Sequence, residues 1–257
     1  MVKLYFTVLA LLCCINCFSQ LDDSHKLDSL LIEGYAVEFI LVKGGNFIMG
    51  SNNLDEELPA HSVTVHSFYL SKFEITQRIW NLVMGSNDSY HANCDDCPVD
   101  NVSWNDVQQF INKLNIATGK RYRLPTEAEW EFAASGGVYS KNCIYSGSNV
   151  ADSVAWYFGN NSTLTHPVGL KKPNELGFYD MSGNISEWCN DWWEYHYYEH
   201  APTNNPKGPS TGTKKVVRGG GHRDVSISIT VKTRAVRGVE PDLVSKYYGF
   251  RLARDPN

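Results

Sequence analysis

No stretch of this chain is long and apolar enough to cross a bilayer. Its one apolar run, Leu4 to Ile15, falls well short of the roughly twenty residues a membrane helix needs, so no integral span is expected in the mature chain. Cysteine is sparse: of seven, Cys13, Cys14 and Cys17 lie in the first seventeen residues, and none follows Cys189. No Gly/Ser linker or low-complexity tract divides the chain, and no Gly-rich phosphate loop or strand-to-helix nucleophile elbow is evident. One-sided charge is missing too, with 23 Lys/Arg against 28 Asp/Glu. From Lys207 onward eleven basic residues face four acidic ones, but they are scattered among Gly, Val, Ile and aromatic positions. That spacing excludes a nucleic-acid tail and predicts internal pairing of Arg218, Arg234 and Arg251.

What is present at the start reads as an export signal. Lys3 supplies a short positive region, Leu4 to Ile15 the apolar core, and Cys17-Phe18-Ser19 a small-residue cleavage site, with Gln20 as the new N-terminus. An exported protein is expected, periplasmic, cell-surface or extracellular. No small-residue lipobox precedes Cys13, Cys14 or Cys17, so lipoprotein anchoring is the lesser alternative. Residues 1–19 are assigned to the signal, 20–37 to a lead-in and 38–254 to one domain. Apolar content of 42% and seven Trp support a packed core. Outside the cytoplasm Cys94, Cys97, Cys143 and Cys189 can oxidise in three pairings, between which the sequence does not choose. Cys94-Asp95-Asp96-Cys97 lies in a polar loop, which favours a structural disulfide or free thiols over a redox or metal motif.

Val37 to Ile48 alternates and reads as strand with a turn at Gly44-Gly45; Ser62 to Phe73 and Ser226 to Thr233 alternate similarly. Thr76 opens a helix with Trp80, Leu82 and Val83 inward. Ser103 caps a helix over Trp104–Ile116, stopped by Gly119. Thr126 and Glu129 form a capping box that starts a helix running to about Ala134.

The densest chemistry lies in Gly177-Phe178-Tyr179-Asp180-Met181-Ser182-Gly183-Asn184-Ile185-Ser186-Glu187-Trp188. Calcium takes six to eight oxygen ligands from carboxylates and carbonyls. Asp180 and Glu187 supply charge, and Gly183 and Ile185 supply carbonyls, for an irregular calcium loop. The competing reading is a turn before a buried strand, with Glu187 paired to an arginine.

This stretch resembles the Asn-x-x-Gly-Asn-x-x-Glu-Trp calcium loop of the formylglycine-generating enzymes, or sulfatase-modifying factors. Further segments resemble that family in order: Val42–Ser51, Phe73-Glu74-Ile75-Thr76, Cys97–Trp104, Arg123–Glu131, His166-Pro167-Val168-Gly169, Arg218-Gly219-Gly220 and Gly249-Phe250-Arg251. Together they cover roughly residues 38–254. The resemblance implies an α+β fold, a variant of the C-type-lectin type with sparse regular structure and long ordered loops. It implies structural calcium at Asp180, Gly183, Ile185 and Glu187, and a doubtful second site at Asn149 and Val150, for which Asp152 lies too close to serve as the later aspartate.

Active members of that family convert a sulfatase cysteine to formylglycine, using two cysteines after the Arg-Gly-Gly strand that together hold Cu(I). Asp224 and Ile229 stand in those places here, and neither is a soft thiolate donor. No copper is therefore expected. The resemblance points to a pseudoenzyme, a calcium-stabilised binding or scaffolding module for a protein or glycan ligand. The aromatic run Trp192–Tyr198 and the arginines after Gly220 are its candidate contacts. The alternative is a formylglycine-generating oxidase. His196 and His200 with Glu194 have zinc spacing but read as a surface insertion, and His222 as a rim residue.

Overall fold

The structure, a computed structural model, describes residues 27–53, 55–160, 164–230 and 238–256. The signal segment, most of the lead-in and Arg234 therefore lie outside the described residues. Among the described residues, three sheets and four α-helices carry the fold. An antiparallel five-stranded sheet runs in the order β1 (Leu27–Ile32), β2 (Tyr35–Val42), β5 (Phe68–Ser71), β10 (Ala253–Arg254), β6 (Tyr122–Arg123). The hairpin of β3 (Gly45–Met49) and β4 (His61–Val65) stands separately. The third sheet orders β8 (Lys215–Arg218), β7 (Ser186–Trp192) and β9 (Tyr248–Gly249), with β9 parallel to β7.

The Val37–Ile48 segment is two strands, as its glycines imply, but they belong to different sheets. β2 pairs with β1 and β5, while β3 pairs with β4. Gly44 makes the step between sheets, because a Cβ there would stand 2.5 Å from the Val65 carbonyl oxygen.

The helix starts follow the sequence closely. α1 (Gln77–Met84) is capped by Thr76, and α2 (Trp104–Thr118) by a Ser103–Asp106 capping box with Gly119 left-handed at its end. α3 (Glu127–Ala134) has the Thr126–Glu129 box: the Thr126 hydroxyl accepts from the Glu129 amide at 3.1 Å, and the Glu129 carboxylate from the Thr126 amide at 2.9 Å. Trp130 and Phe132 of α3 are wholly buried in the core shared with β3 and β4, each contributing about 1.5–3 kcal/mol. A second core lies between the five-stranded sheet and α1 and α2, where Trp80 stacks on Phe110 at 5.3 Å.

Residues 226–229 form a 3-10 turn where a strand is expected; the end of that stretch, 231–233, lies outside the described residues. The alternation there is real, but Ile229 is drawn fully inside beneath Gly220, whose absent Cβ leaves the room: it would stand 2.7 Å from Ile229 Cγ2. The run Trp192–Tyr198 is at the surface only in part: Trp192, Trp193, Glu194 and Tyr195 are half-buried and His196 is exposed. Tyr197 and Tyr198 are buried and Tyr198 joins the α3 core, so those two rings hold the fold and are not contacts for a ligand.

Candidate functional site

The Gly177–Trp188 loop is built on left-handed backbone at Gly177, Asp180, Gly183 and Asn184. Gly183 has no alternative residue, since a Cβ would lie 2.3 Å from the Trp156 carbonyl oxygen. Asn184 is the hub that explains the motif. Its side-chain amide donates to Glu74 Oε2 at 2.8 Å and to the His166 carbonyl at 3.2 Å, and its oxygen accepts from the His166 amide at 2.9 Å. Its backbone carbonyl accepts from the His222 amide at 2.9 Å. One asparagine thus ties together the turn before α1, the His166 loop and the glycine turn after β8.

Glu187 follows the second sequence reading. Arg251 donates to it through Nε at 2.6 Å and Nη2 at 2.7 Å, and Trp130 Nε1 adds a bond at 2.8 Å. Both carboxylate oxygens are therefore engaged and wholly buried, which leaves Glu187 little capacity as a metal ligand. Asp180 differs. Its Oδ2 accepts from the Gly169 amide at 2.7 Å, but Oδ1 is buried without a partner, as is Oε1 of Glu74. Burial pushes Asp180 up to about 6. Burial, with Asp180 and then Glu187 nearby, pushes Glu74 well above the usual carboxylate range. Two orphaned buried carboxylate oxygens fit a cation's demand for hard donors. Of the four expected ligands, Asp180 keeps an open buried oxygen, Gly183 and Ile185 flank Asn184 in the loop, and Glu187 is engaged by Arg251.

At the doubtful second site the donors are already used. Asn149 Oδ1 accepts from the Ile144 amide at 2.8 Å, and Asp152 Oδ1 from the Tyr157 hydroxyl at 2.9 Å. Val150 is exposed and sits at the start of a short helix, α4 (Ala151–Val154).

Beyond β8 the chain makes the Gly219–Gly221 turn. Arg218 is buried against Glu127 at 3.1 Å and Glu131 at 2.6 Å, so two of the three expected arginine pairings are internal, Arg218 and Arg251. Asp224 accepts from the Gly221 amide at 2.8 Å, and burial raises its pKa. Ile229 packs against Ala151, Val154 and Ala155. Cys94 and Cys97 are joined in a disulfide, Cys189 is fully buried with its thiol pushed well up by burial, and Cys143 is half-buried. His196 pairs with Glu199 at 2.9 Å and His200 with Glu194 at 3.3 Å, all exposed, so the zinc-like spacing is split between two carboxylates. No group of three or more His, Cys, Asp or Glu able to hold a metal occurs among the described residues. Gly208-Pro209-Ser210-Thr211-Gly212 spells G-x-S-x-G, but it is a loop leading into β8 with no helix behind it.

Sequence reading missed one constellation. Asp100, wholly buried, accepts from the Tyr90 amide at 2.5 Å, from the His91 amide at 3.3 Å and from the His91 ring Nδ1. The His91 ring meets His222 edge-on at 5.1 Å. His222 is fully buried and not a rim residue; burial, then the neighbouring His91, Arg223 and Lys246, lower its pKa to about 4. Eight residues of irregular loop separate His91 from Asp100, a spacing that carries no periodic signal. On another face a cavity of about 650 Å³ is lined by His66, Arg123, Glu129, Asn190, Asn204 and Lys207, among others.

Modest regular structure, mixed helices and sheets, and glycine-pinned loops define the formylglycine-generating-enzyme class of fold, a C-type-lectin-like α+β variant. The structure of Treponema denticola variable protein 1 superposes with a TM-score of 0.84 at 28% identity, covering 90% of this chain and 99% of that one. PvdO from Pseudomonas aeruginosa follows at 0.75 and 25%, covering 89% and 98%. The family model for the sulfatase-modifying factor enzyme 1-like domain matches residues 33–256, and the chain belongs to that family.

Among relatives, chaperone protein LppX of Paenibacillus barcinonensis is 35% identical over 72% of this chain and 78% of its own length. Serine/threonine-protein kinase pkn1 of Chlamydia pneumoniae is 32% identical over 86% of this chain but only 38% of the kinase. The formylglycine-generating enzyme of Streptomyces coelicolor is 36% identical over 62% of this chain and 52% of that enzyme. The chain therefore spans about half the length of the enzyme and less of the kinase. No helix among the described residues is long and apolar enough to cross a membrane.

Proposed function

We propose that this is an exported member of the family that has lost the copper oxidase centre and acts as a calcium-stabilised binding or scaffolding module. The observation that carries this reading is the pair Asp224 and Ile229 at the places where the family resemblance expects thiolates. Asp224 is bonded to its own turn and Ile229 is sealed in an apolar cluster, so neither offers a soft donor to Cu(I). The remaining thiols do not converge on that turn in sequence. Cys94 and Cys97 are spent on each other, and Cys189 sits inside β7.

Calcium in this reading is held by Asp180, with Glu74 as the second charged donor and carbonyls of Gly183 and Ile185 completing the set. Glu187 stays with Arg251. The cation would neutralise two carboxylates that burial otherwise penalises. The ligand of the module is a protein or glycan.

The deciding assay incubates purified protein, copper and a Cys-x-Pro-x-Arg peptide, then measures aldehyde by mass spectrometry. No aldehyde is expected; its formation would establish the oxidase alternative. Calcium is tested separately, by the melting midpoint with calcium and with chelator.

A further inference from the structure

Three loops converge beside the glycine turn that follows β8: the Ser89–His91 turn, the His222–Arg223 step, and the 245–247 segment. Asp100 anchors the first by accepting two backbone amides and the His91 ring. The carboxylate accepts from Nδ1–H of His91, which leaves Nε2 as the ring's second polar atom. His91 is not sealed off; its side chain keeps 8% of its surface.

Two cations border these loops. The Lys246 ammonium is 4.0 Å from the Tyr90 ring centre and 5.7 Å from that of Tyr247. Arg223 donates to the Tyr247 hydroxyl at 3.2 Å. Neither cation makes an ion pair among the described residues, although the chain as a whole carries −5. Asp100 is committed to His91, and Asp224 Oδ2 accepts from the Gly221 amide. Both cations and His91 act on His222 and disfavour its charged form. Unpaired like charges gathered around a buried imidazole repel one another, and a bound anion relieves that repulsion.

We propose that Arg223 and Lys246, with His91 fixed by Asp100, form a recognition site for an oxyanion (phosphate, sulfate or carboxylate) whose ligand also hydrogen-bonds His91 Nε2. Tyr90 and Tyr247, both exposed, are its walls. Arg223 supplies the planar fork and Lys246 a mobile point charge. The site adjoins Asp224, so the ligand group enters the place where the family resemblance puts the thiols. This inference rests on the binding-module reading and names the chemistry its ligand carries.

The test is NMR of the whole soluble chain, following the His91 and His222 ring protons while phosphate, sulfate or acetate is added at constant ionic strength against chloride. Saturable shifts with at least one of the three are expected. Arg223→Gln with Lys246→Gln should weaken that binding at least tenfold, Arg223→Lys should retain most of it, and Lys207→Gln in the distant cavity should leave it unchanged. A phosphoserine peptide beside free phosphate distinguishes an anion read within a polypeptide from one read alone. No saturation by any anion, or undiminished binding in the folded double variant, overturns the site. The aldehyde assay on the same samples fails or succeeds independently: aldehyde would overturn the non-catalytic reading and leave the titration to stand by itself.

Discussion

His222 and Asp180 show how single positions couple folding to pH. The folded pKa of His222, about 4, lies below its ordinary value of 6.5. A depressed imidazole contributes stability above pH 6.5 that is lost as pH falls towards 4, because the unfolded chain binds the proton first. Replacing it by a ring that does not titrate, His222→Phe, should flatten the fall in melting midpoint between pH 6.5 and 4, by on the order of 2 kcal/mol at the acid end. A fall as steep as in the unmodified chain would assign the acid sensitivity elsewhere.

Asp180 works with the opposite sign. Its folded pKa is raised from 3.8 to about 6, so its contribution is intact below 3.8 and lost as pH rises through 6. Asp180→Asn keeps a side chain tolerant of positive φ and removes the charge. In chelator at pH 8 the variant should be more stable than the parent, by on the order of 2 kcal/mol. With calcium the order should reverse, since only the parent gains from the ion. A parent whose midpoint ignores both calcium and chelator would refute the metal assignment.

At the scale of elements, buried charge and helix caps decide which pieces meet. Arg218 leaves β8 to reach Glu127 and Glu131 of α3, with none of the three side chains more than 2% exposed. Arg218→Ala strands two carboxylates in the interior and should cost about 3–5 kcal/mol in urea unfolding. Thr126→Ala removes the hydroxyl that accepts from the Glu129 amide and should cost about 0.5–2 kcal/mol. If the two losses were equal, the ion pairs would contribute no more than a helix cap. The same elements show how far local pattern reaches. Thr76, Ser103 and Thr126 announce their helices because a cap needs only its own turn. Ser226–Thr233 alternates like a strand, yet the described part is a turn, because Ile229 finds its burial under Gly220 and not on a sheet face.

For the whole molecule, long loops are held by a few polar hubs more than by sheet area. Asn184 ties three loops and Arg251 ties the C-terminal segment to β7, while the Cys94–Cys97 disulfide closes a small ring before α2. Closing so short a ring restricts the unfolded chain little, so reduction should lower stability by about 2 kcal/mol or less. Thermal melts with and without reductant measure this; collapse of the fold on reduction would show the disulfide holding more than its own loop.

Sequence alone determined what depends on neighbours along the chain. The helix caps, the glycines at left-handed or crowded positions, and the ordered motifs were sufficient for the family, as were the absent thiols for the doubt about its oxidase chemistry. Tertiary structure decided what depends on distant partners. It gave Glu187 to Arg251, left Asp180 and Glu74 with open oxygens, and turned Tyr197 and Tyr198 inward. It also brought Asp100, His91 and His222 together with Lys246 and Arg223. The physical reason is reach: a cap or a turn is settled within a few residues, whereas burial and charge pairing are settled only when segments far apart in the chain close upon one another.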